Sequence, residues 1–260
     1  MADTLLDDMA AIVAEAATLA HGRASTDFHR WEKSPNNPVC EIDLAVDALL
    51  RERLTALLPD AGWLSEESAD DHVRLGRRRV WIVDPIDGTR DYIRGRPGWS
   101  VSVALVEDGQ PVLGVLEAPA RHERWRASLG GGAWRNGVRL AASDACQMRG
   151  ARTPVDALPK IDQDLVAVAK PNSIALRMAM VAAGDADLLA TFRWGHEWDV
   201  AAAVLLLREA GAAVTDSLGK PLRFNTPRAQ AFGVLATAPG LHAVAVERLR
   251  PRAIAALGRP

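Results

Sequence analysis

Residues 80–89 read Val80-Trp81-Ile82-Val83-Asp84-Pro85-Ile86-Asp87-Gly88-Thr89. Four consecutive apolar residues predict a strand buried on both faces, which requires covering layers above and below it. The run stops at Asp84-Pro85, so the strand is expected to end there and leave Asp84 at a sheet edge. Pro85 turns the chain, and Asp87 returns a second carboxylate to the same side. Gly88 permits close approach of the backbone to a ligand, and Thr89 adds a hydroxyl. A short helix through Arg90-Asp91-Tyr92 would aim its first N–H groups at an anion.

Downstream, Ser100 to Glu107 alternates polar and apolar residues, Asp108-Gly109 is a hairpin turn, and Val112 to Leu116 is the return strand. Glu123 to Ala127, Gly130-Gly131-Gly132 and Asn136-Gly137 carry the meander to about Leu140. Upstream, Leu5, Met9, Ile12, Val13, Ala16 and Leu19 predict a helix over Thr4–Ala20, stopped at Gly22. Ile42, Val46, Leu49, Leu50, Leu54 and Leu57 predict a second over Glu41–Leu58, stopped by Pro59. Between them, Pro35 and Pro38 exclude a regular helix.

Beyond Leu140, short strands at Leu165–Ala169, Ala212–Thr215 and Gly233–Thr237 alternate with helices at Ser173–Ala183, Asp199–Ala210 and Leu241–Leu249. Gly184 and Gly211 stand where helix-ending glycines belong. The expectation is an α/β chain: an α+β subdomain over residues 1–140 and an α/β subdomain over 141–260, joined near Ala141–Gly150.

Composition excludes several classes. A 260-residue chain that is 48% hydrophobic and 25% charged, with net charge −2, is globular and has no footprint for a nucleic acid polymer. Arg77-Arg78-Arg79 reads as a solvated strand start. Cys40 and Cys146 form neither a metal-type pair nor a disulfide framework. No run approaches the ~20 apolar residues of a membrane span. The first fifteen residues hold four acids and no basic residue, unlike a signal peptide, so a cytoplasmic protein without a membrane partner is expected.

Four places carry acids that a core does not need: Asp84 with Asp87, Glu66-Glu67 in the loop Gly62-Trp63-Leu64-Ser65, Asp199 at the N-cap of Val200–Leu207, and Asp43 in the first turn of its helix. Each alone has an ordinary explanation as a turn, a solvated loop, a cap or a first-turn acid. Together they raise a problem, because two carboxylates ~4 Å apart repel by about 4 kcal/mol at an effective dielectric near 20. Converging acids need protons or cations between them. Hard oxygen ligands beside a phosphate-sized anion site favour Mg²⁺, whereas the sequence has no HxxxH or HExxH pattern for zinc. His196 reads as a structural or substrate-edge residue.

These residues resemble the inositol monophosphatase superfamily of Mg²⁺-dependent, Li⁺-sensitive phosphomonoesterases. The resemblance rests on Glu66-Glu67, on Asp84-Pro85-Ile86-Asp87-Gly88-Thr89, and on Trp198-Asp199 ahead of Ala201-Ala202. Lys33, Pro38-Val39, Glu41-Ile42-Asp43, the glycine-rich hairpin Gly132–Gly137 and Asn172-Ser173 extend it over nearly the whole chain. Cys40 departs from the threonine that is common between the valine and the acid.

The resemblance implies a layered αβαβα sandwich and two to three Mg²⁺ ions per site. Glu66, Asp84 and the Ile86 carbonyl would hold the first ion, and Asp84, Asp87 and Asp199 the second. Gly88 and Thr89 would bind phosphate through backbone N–H groups. Thr89 with Asp43 would orient the attacking water, supported by Glu67. It also makes a homodimer the expectation.

The family diverges on the leaving-group side. Members acting on inositol phosphates carry a glutamate where this chain has Phe192, whereas members acting on 3′-phosphoadenosine 5′-phosphate often have Glu-Trp-Asp, as in Glu197-Trp198-Asp199. Phe192, Arg193 and Trp194 suit an adenine or a second phosphate. The resemblance therefore points to a 3′(2′),5′-bisphosphate nucleotidase, with Glu197 and Arg193 at the substrate. An inositol-1-monophosphatase, a broad-specificity sugar phosphatase, and a non-catalytic metal- or phosphate-binding protein are the alternatives.

Overall fold

The computed structural model describes residues 2–24, 26–34 and 37–258. The chain opens with α1 (Ala2–Arg23), a hairpin of β1 (Arg30–Ser34) and β2 (Asn37–Cys40), and α2 (Glu41–Leu57). Pro35, expected to bar a helix, lies outside the described residues, as does the side chain of Lys33. Next come β3 (Gly62–Ser65), β4 (Arg79–Asp87), the short α3 (Thr89–Ile93), β5 (Ser100–Glu107), β6 (Gln110–Ala118), β7 (Glu123–Ser128), β8 (Gly132–Arg135) and β9 (Val138–Arg139). The remainder holds β10 (Arg152–Pro154), β11 (Val166–Val168), α4 (Ile174–Ala182), β12 (Leu188–Ala190), β13 (Trp194–His196), α5 (Ala201–Glu209), β14 (Ala213–Thr215), β15 (Gln230–Phe232), β16 (Leu235–Thr237) and α6 (His242–Leu257). Among the described residues no helix is long and apolar enough to cross a membrane.

Strands β3 to β9 form one seven-stranded sheet in sequence order, with β3 parallel to β4 and the other pairs antiparallel. The apolar run at 80–83 is buried on both faces because helices cover both. Trp81, Val83, Val103 and Val115 face α1 and α2 through Met9, Val13, Val46 and Leu50. Val80, Ile82, Leu116 and Trp125 face α4 and α5 through Met178, Val181, Val204 and Leu205. Helix α5 is apolar all round because it lies between this sheet and the smaller sheet β12-β16-β14. Helix α6, with Leu241 just before it, covers that sheet's outer face through Ala245 and Leu249 against Leu188 and Leu235. The order helix, sheet, helix, sheet, helix is the expected αβαβα sandwich, an α/β fold around a mixed sheet.

Four local expectations are corrected. Strand β4 continues to Asp87 across an irregularity in its pairing with β5, where Asp84 opposes Ser102 and Asp87 opposes Ser100; the proline is absorbed where the ladder is already interrupted. Residues 62–65 are a paired strand, not a loop. Gly22 lies inside α1, which is held at its end by Arg23 on Glu41 at 2.9 Å. Helix α6 runs past Leu249 and through Pro251, because Arg248 and Arg252 on either side of the proline are anchored on Asp162 and Ala253 is buried beneath it.

The contact between β6 and α5 leaves no room for a side chain at Gly114, where a Cβ would lie 2.9 Å from the Ala202 carbonyl oxygen. Gly114→Ala is expected to lower the unfolding free energy by about 1–3 kcal/mol, read as a lower urea midpoint at unchanged slope. Gly22→Ala meets no atom within 4 Å and should instead add about 0.4–1 kcal/mol in the same titration.

Candidate active site

Three carboxylates converge where the layers meet: Asp84 and Asp87 at the end of β4, and Asp199 in the turn before α5. Each offers one oxygen, and the three lie within 4.8 Å of one another. They line a cavity of about 390 Å³ with Glu66, Ile86, Gly88, Thr89, Arg90, Asn172, Arg193, Trp194, His196 and Trp198.

Each acid is held by donors from its own turn or a neighbouring helix. Asp84 Oδ1 accepts from the Ile86 N–H at 3.1 Å. Asp87 is gripped by the start of α4: Ser173 Oγ donates at 2.5 Å, and the N–H groups of Ile174 and Ala175 at 3.2 and 2.8 Å. The same hydroxyl accepts from Leu176 N, so Ser173 caps α4 and fixes Asp87 together. Asp199 was expected to cap its helix. Val200 holds that position instead, and Asp199 Oδ2 accepts from the His196 N–H at 2.9 Å, which turns the carboxylate into the cavity.

The cluster is electrostatically strained. Burial pushes Asp84 well above the usual carboxylate range, helped by the charges of Glu66, Asp87 and Asp199. Burial and the Asp199 charge lift Asp87 to about 7, against the hydrogen bonds from Ser173 and Ala175. Asp199 rises to about 6 by burial, opposed by the His196 N–H and raised further by Glu66.

Gly88 must be glycine. Its φ is +95°, and a Cβ there would lie 2.8 Å from the Gly98 carbonyl oxygen and 2.9 Å from the Ser173 nitrogen. Thr89 Oγ1 donates to the Ile86 carbonyl at 3.0 Å and stands 3.4 Å from Asp43 Oδ1. Asp43 is 1% exposed, and its other oxygen accepts from the Cys40 N–H at 2.8 Å and the Cys40 thiol at 2.9 Å. Cys40 is thus the N-cap partner of Asp43 at the head of α2. Burial and the Asp43 charge push its thiol up to about 12, so it stays a donor.

Glu66 follows β3 directly and donates its N–H to the Val83 carbonyl at 3.3 Å. The turn that carries it is pinned by buried Asp47, which accepts from Ser65 Oγ at 2.5 Å and Ser68 Oγ at 2.6 Å. Glu67 is half-buried, with its N–H on Ser65 Oγ, and lies outside the cavity wall. Asp47 was not singled out from the sequence; its place on the buried stripe of α2, one turn after Asp43, was the available signal.

Two leaving-group expectations are corrected. Glu197 is fully buried and faces away from the cavity, accepting from Asn225 N at 2.6 Å, Thr226 N at 2.9 Å and Thr226 Oγ1 at 2.5 Å. Phe192 packs toward α6 with the Arg252 guanidinium 4.9 Å from its ring centroid. Arg193, at the bend before β13, lines the cavity while its neighbour Phe192 does not. Trp194 also lines the cavity, half-exposed and edge-on to Phe232 at 5.4 Å. His196 stacks on Trp198 at 4.3 Å with the rings 3° apart.

The inositol monophosphatase family model matches residues 2–255. The chain is 35% identical over 209 residues to the 3′(2′),5′-bisphosphate nucleotidase CysQ of Escherichia coli, covering 75% of this chain and 82% of that protein. It is 34% identical over 190 residues to the fructose-1,6-bisphosphatase/inositol-1-monophosphatase of Thermotoga maritima, covering 70% and 72%. A solved Thermotoga maritima inositol monophosphatase superposes with a TM-score of 0.85 at 26% identity, over 97% of this chain and 99% of that one. The chain is therefore a phosphatase acting on phosphate monoesters, with an acidic cluster of the kind that this metal-dependent family uses. It belongs to the inositol monophosphatase family.

Proposed function

We propose that the chain is a Mg²⁺-dependent 3′(2′),5′-bisphosphate nucleotidase, removing the 3′-phosphate of 3′-phosphoadenosine 5′-phosphate. The observation that carries this reading is the wall opposite the phosphate loop, where Arg193, Trp194 and the His196–Trp198 stack line the cavity. Aromatic faces and a guanidinium suit a purine and a second phosphate, whereas a polyhydroxyl ring needs acceptors placed for its hydroxyls. The similarity to CysQ supports it.

The donor set fits a hard divalent cation. Three carboxylate oxygens within 4.8 Å, all pushed toward protonation, are stabilised together by positive charge between them. Glu66, Asp84 and the Ile86 carbonyl would hold one ion, with Asp84, Asp87 and Asp199 holding a second. Bound cations of this kind supply charge to the phosphate oxygens and acidify water. The chain's own residues do the rest. Gly88 and Thr89 present backbone to the phosphate. Thr89 Oγ1 takes a proton from the attacking water while handing its own to Asp43 Oδ1, whose partner oxygen is held by Cys40. Arg193 and the aromatic wall orient the leaving group.

The direct test is phosphate release from 3′-phosphoadenosine 5′-phosphate and inositol-1-phosphate side by side, with EDTA and Asp87→Asn as controls. A kcat/KM ratio of ten or more for the nucleotide is expected, about 1.4 kcal/mol of transition-state discrimination. Preference for the inositol ester would overturn the substrate assignment, and turnover that survives both controls would overturn the metal assignment.

Asp87 and Asp199 bind protons more tightly folded than unfolded, with values of about 7 and about 6. Their contribution to stability is full below about pH 4 and is lost as pH rises through those values. The melting temperature of EDTA-treated protein should carry a falling contribution from pH 5 to pH 7.5, which Mg²⁺ abolishes. A metal-free protein with the same pH profile as the Mg²⁺-loaded one would contradict this.

Cys40 supplies a second donor to Asp43. Cys40→Ser keeps a donor and should hold kcat within about threefold, whereas Cys40→Val should lower kcat about tenfold at unchanged KM, as expected for a lost hydrogen bond to a charged group.

A further inference from the structure

We infer that Arg74, Asn225 and Glu197 form a buried strut that sets the distance between the Glu66 and Asp199 sides of the cavity, and that they are positioning residues for its cations. The inference rests on reading the acidic cavity as a metal site and is independent of the substrate.

Arg74 is 1% exposed, an unusual place for a guanidinium unless its donors are used. Its Nε and one terminal nitrogen reach the Asp70 carboxylate at 2.7–3.1 Å. The other terminal nitrogen donates to Asn225 Oδ1 at 2.7 Å, and the first also reaches the Thr226 carbonyl at 3.0 Å. Asn225 Nδ2 returns a bond to the Arg74 carbonyl at 3.2 Å. One side chain thus bridges residues about 150 positions apart in the chain.

Both ends of the bridge lead to acids of the cavity. On one side, Arg74 packs against the start of β3, where a Cβ on Gly62 would lie 2.9 Å from Arg74 Cα, and β3 runs straight into Glu66. On the other, Asn225 and Thr226 deliver two N–H groups and a hydroxyl to Glu197. The Glu197 carbonyl in turn accepts from Val200 and Ala201, closing the turn that carries Asp199. The two sides belong to segments that share no strand, and beside the packing of α5 on the sheet the hydrogen-bonded bridge ties them to each other. Cations held between them sense that separation directly, because their affinity depends on several oxygens meeting at one distance.

The test measures Mg²⁺ binding to the full chain by isothermal titration calorimetry, beside melting temperature, for Arg74→Lys, Arg74→Met, Glu197→Gln and Asn225→Gly. Asn225 has φ +58°, so glycine removes its side chain without backbone strain. Arg152→Met, which loses a half-exposed pairing with buried Asp187 in the β10 region, is the control for stability alone. The Mg²⁺ dissociation constant is expected to rise tenfold or more in Arg74→Met and Glu197→Gln, less in Arg74→Lys and Asn225→Gly, and to stay within twofold in Arg152→Met even as its melting temperature falls. Should Arg74→Met not fold, Arg74→Lys and Asn225→Gly carry the same test with a rise above twofold. Folded strut variants that bind Mg²⁺ as wild type does, or a control that weakens it equally, would overturn the inference. A wild-type chain with no Mg²⁺ titration would overturn the metal reading itself, and this inference with it.

Discussion

Three carboxylates within 4.8 Å of one another, two of them buried, are the constraint around which this molecule is arranged. At an effective dielectric near 20, charges at such separations oppose one another by about 4 kcal/mol a pair. A flexible chain would let them separate. Here each acid is fixed to the end of a rigid element: Asp84 and Asp87 by the ladder of β4, Asp87 again by the N-terminus of α4, and Asp199 by the turn into α5. The repulsion becomes a standing demand for positive charge, which protons meet at low pH and a bound metal ion would meet above it.

The layered packing is what allows that convergence. The large sheet supplies two of the acids from one strand, while the third stands in the turn that enters a helix pressed against the sheet's far face. That helix comes close only because Gly114 and Ala202 let two backbones touch. Asp43 and Thr89 approach from the opposite layer, with Cys40 holding the carboxylate in place. Short side chains and hydrogen bonds, more than large apolar contacts, therefore decide where the polar groups around the cavity stand. The apolar clusters on either side hold the layers still.

Neighbouring residues at the leaving-group side do different work despite their adjacency. Glu197 braces a loop, Trp198 stacks on His196, and Asp199 faces the cavity. A Glu-Trp-Asp triplet reads as a substrate-contacting unit in one dimension, but in this backbone only part of it reaches the cavity. Phe192 and Arg193 divide in the same way, one toward α6 and one toward the cavity. The chemistry of the cavity is thus written in residues whose direction is set by the folded path of the backbone and not by their order.

The sequence by itself determined the main helices and strands, because apolar periodicity reports burial, and it brought forward the acids Asp84, Asp87 and Asp199; the layered sandwich followed from the family resemblance that those acids carry. It also placed the helix ends at Gly184 and Gly211, where φ values of +69° and +81° require what glycine allows. Tertiary structure alone decided that β4 continues through Pro85, that α6 survives Pro251, that Asp47 pins the Glu66 turn, and that Glu197 belongs to a strut with Arg74. Each of these depends on a partner tens of residues away or on the direction of a side chain. Local pattern carries neither, because it records how far a residue lies along the chain and not which distant group its charge or hydrogen bond will meet.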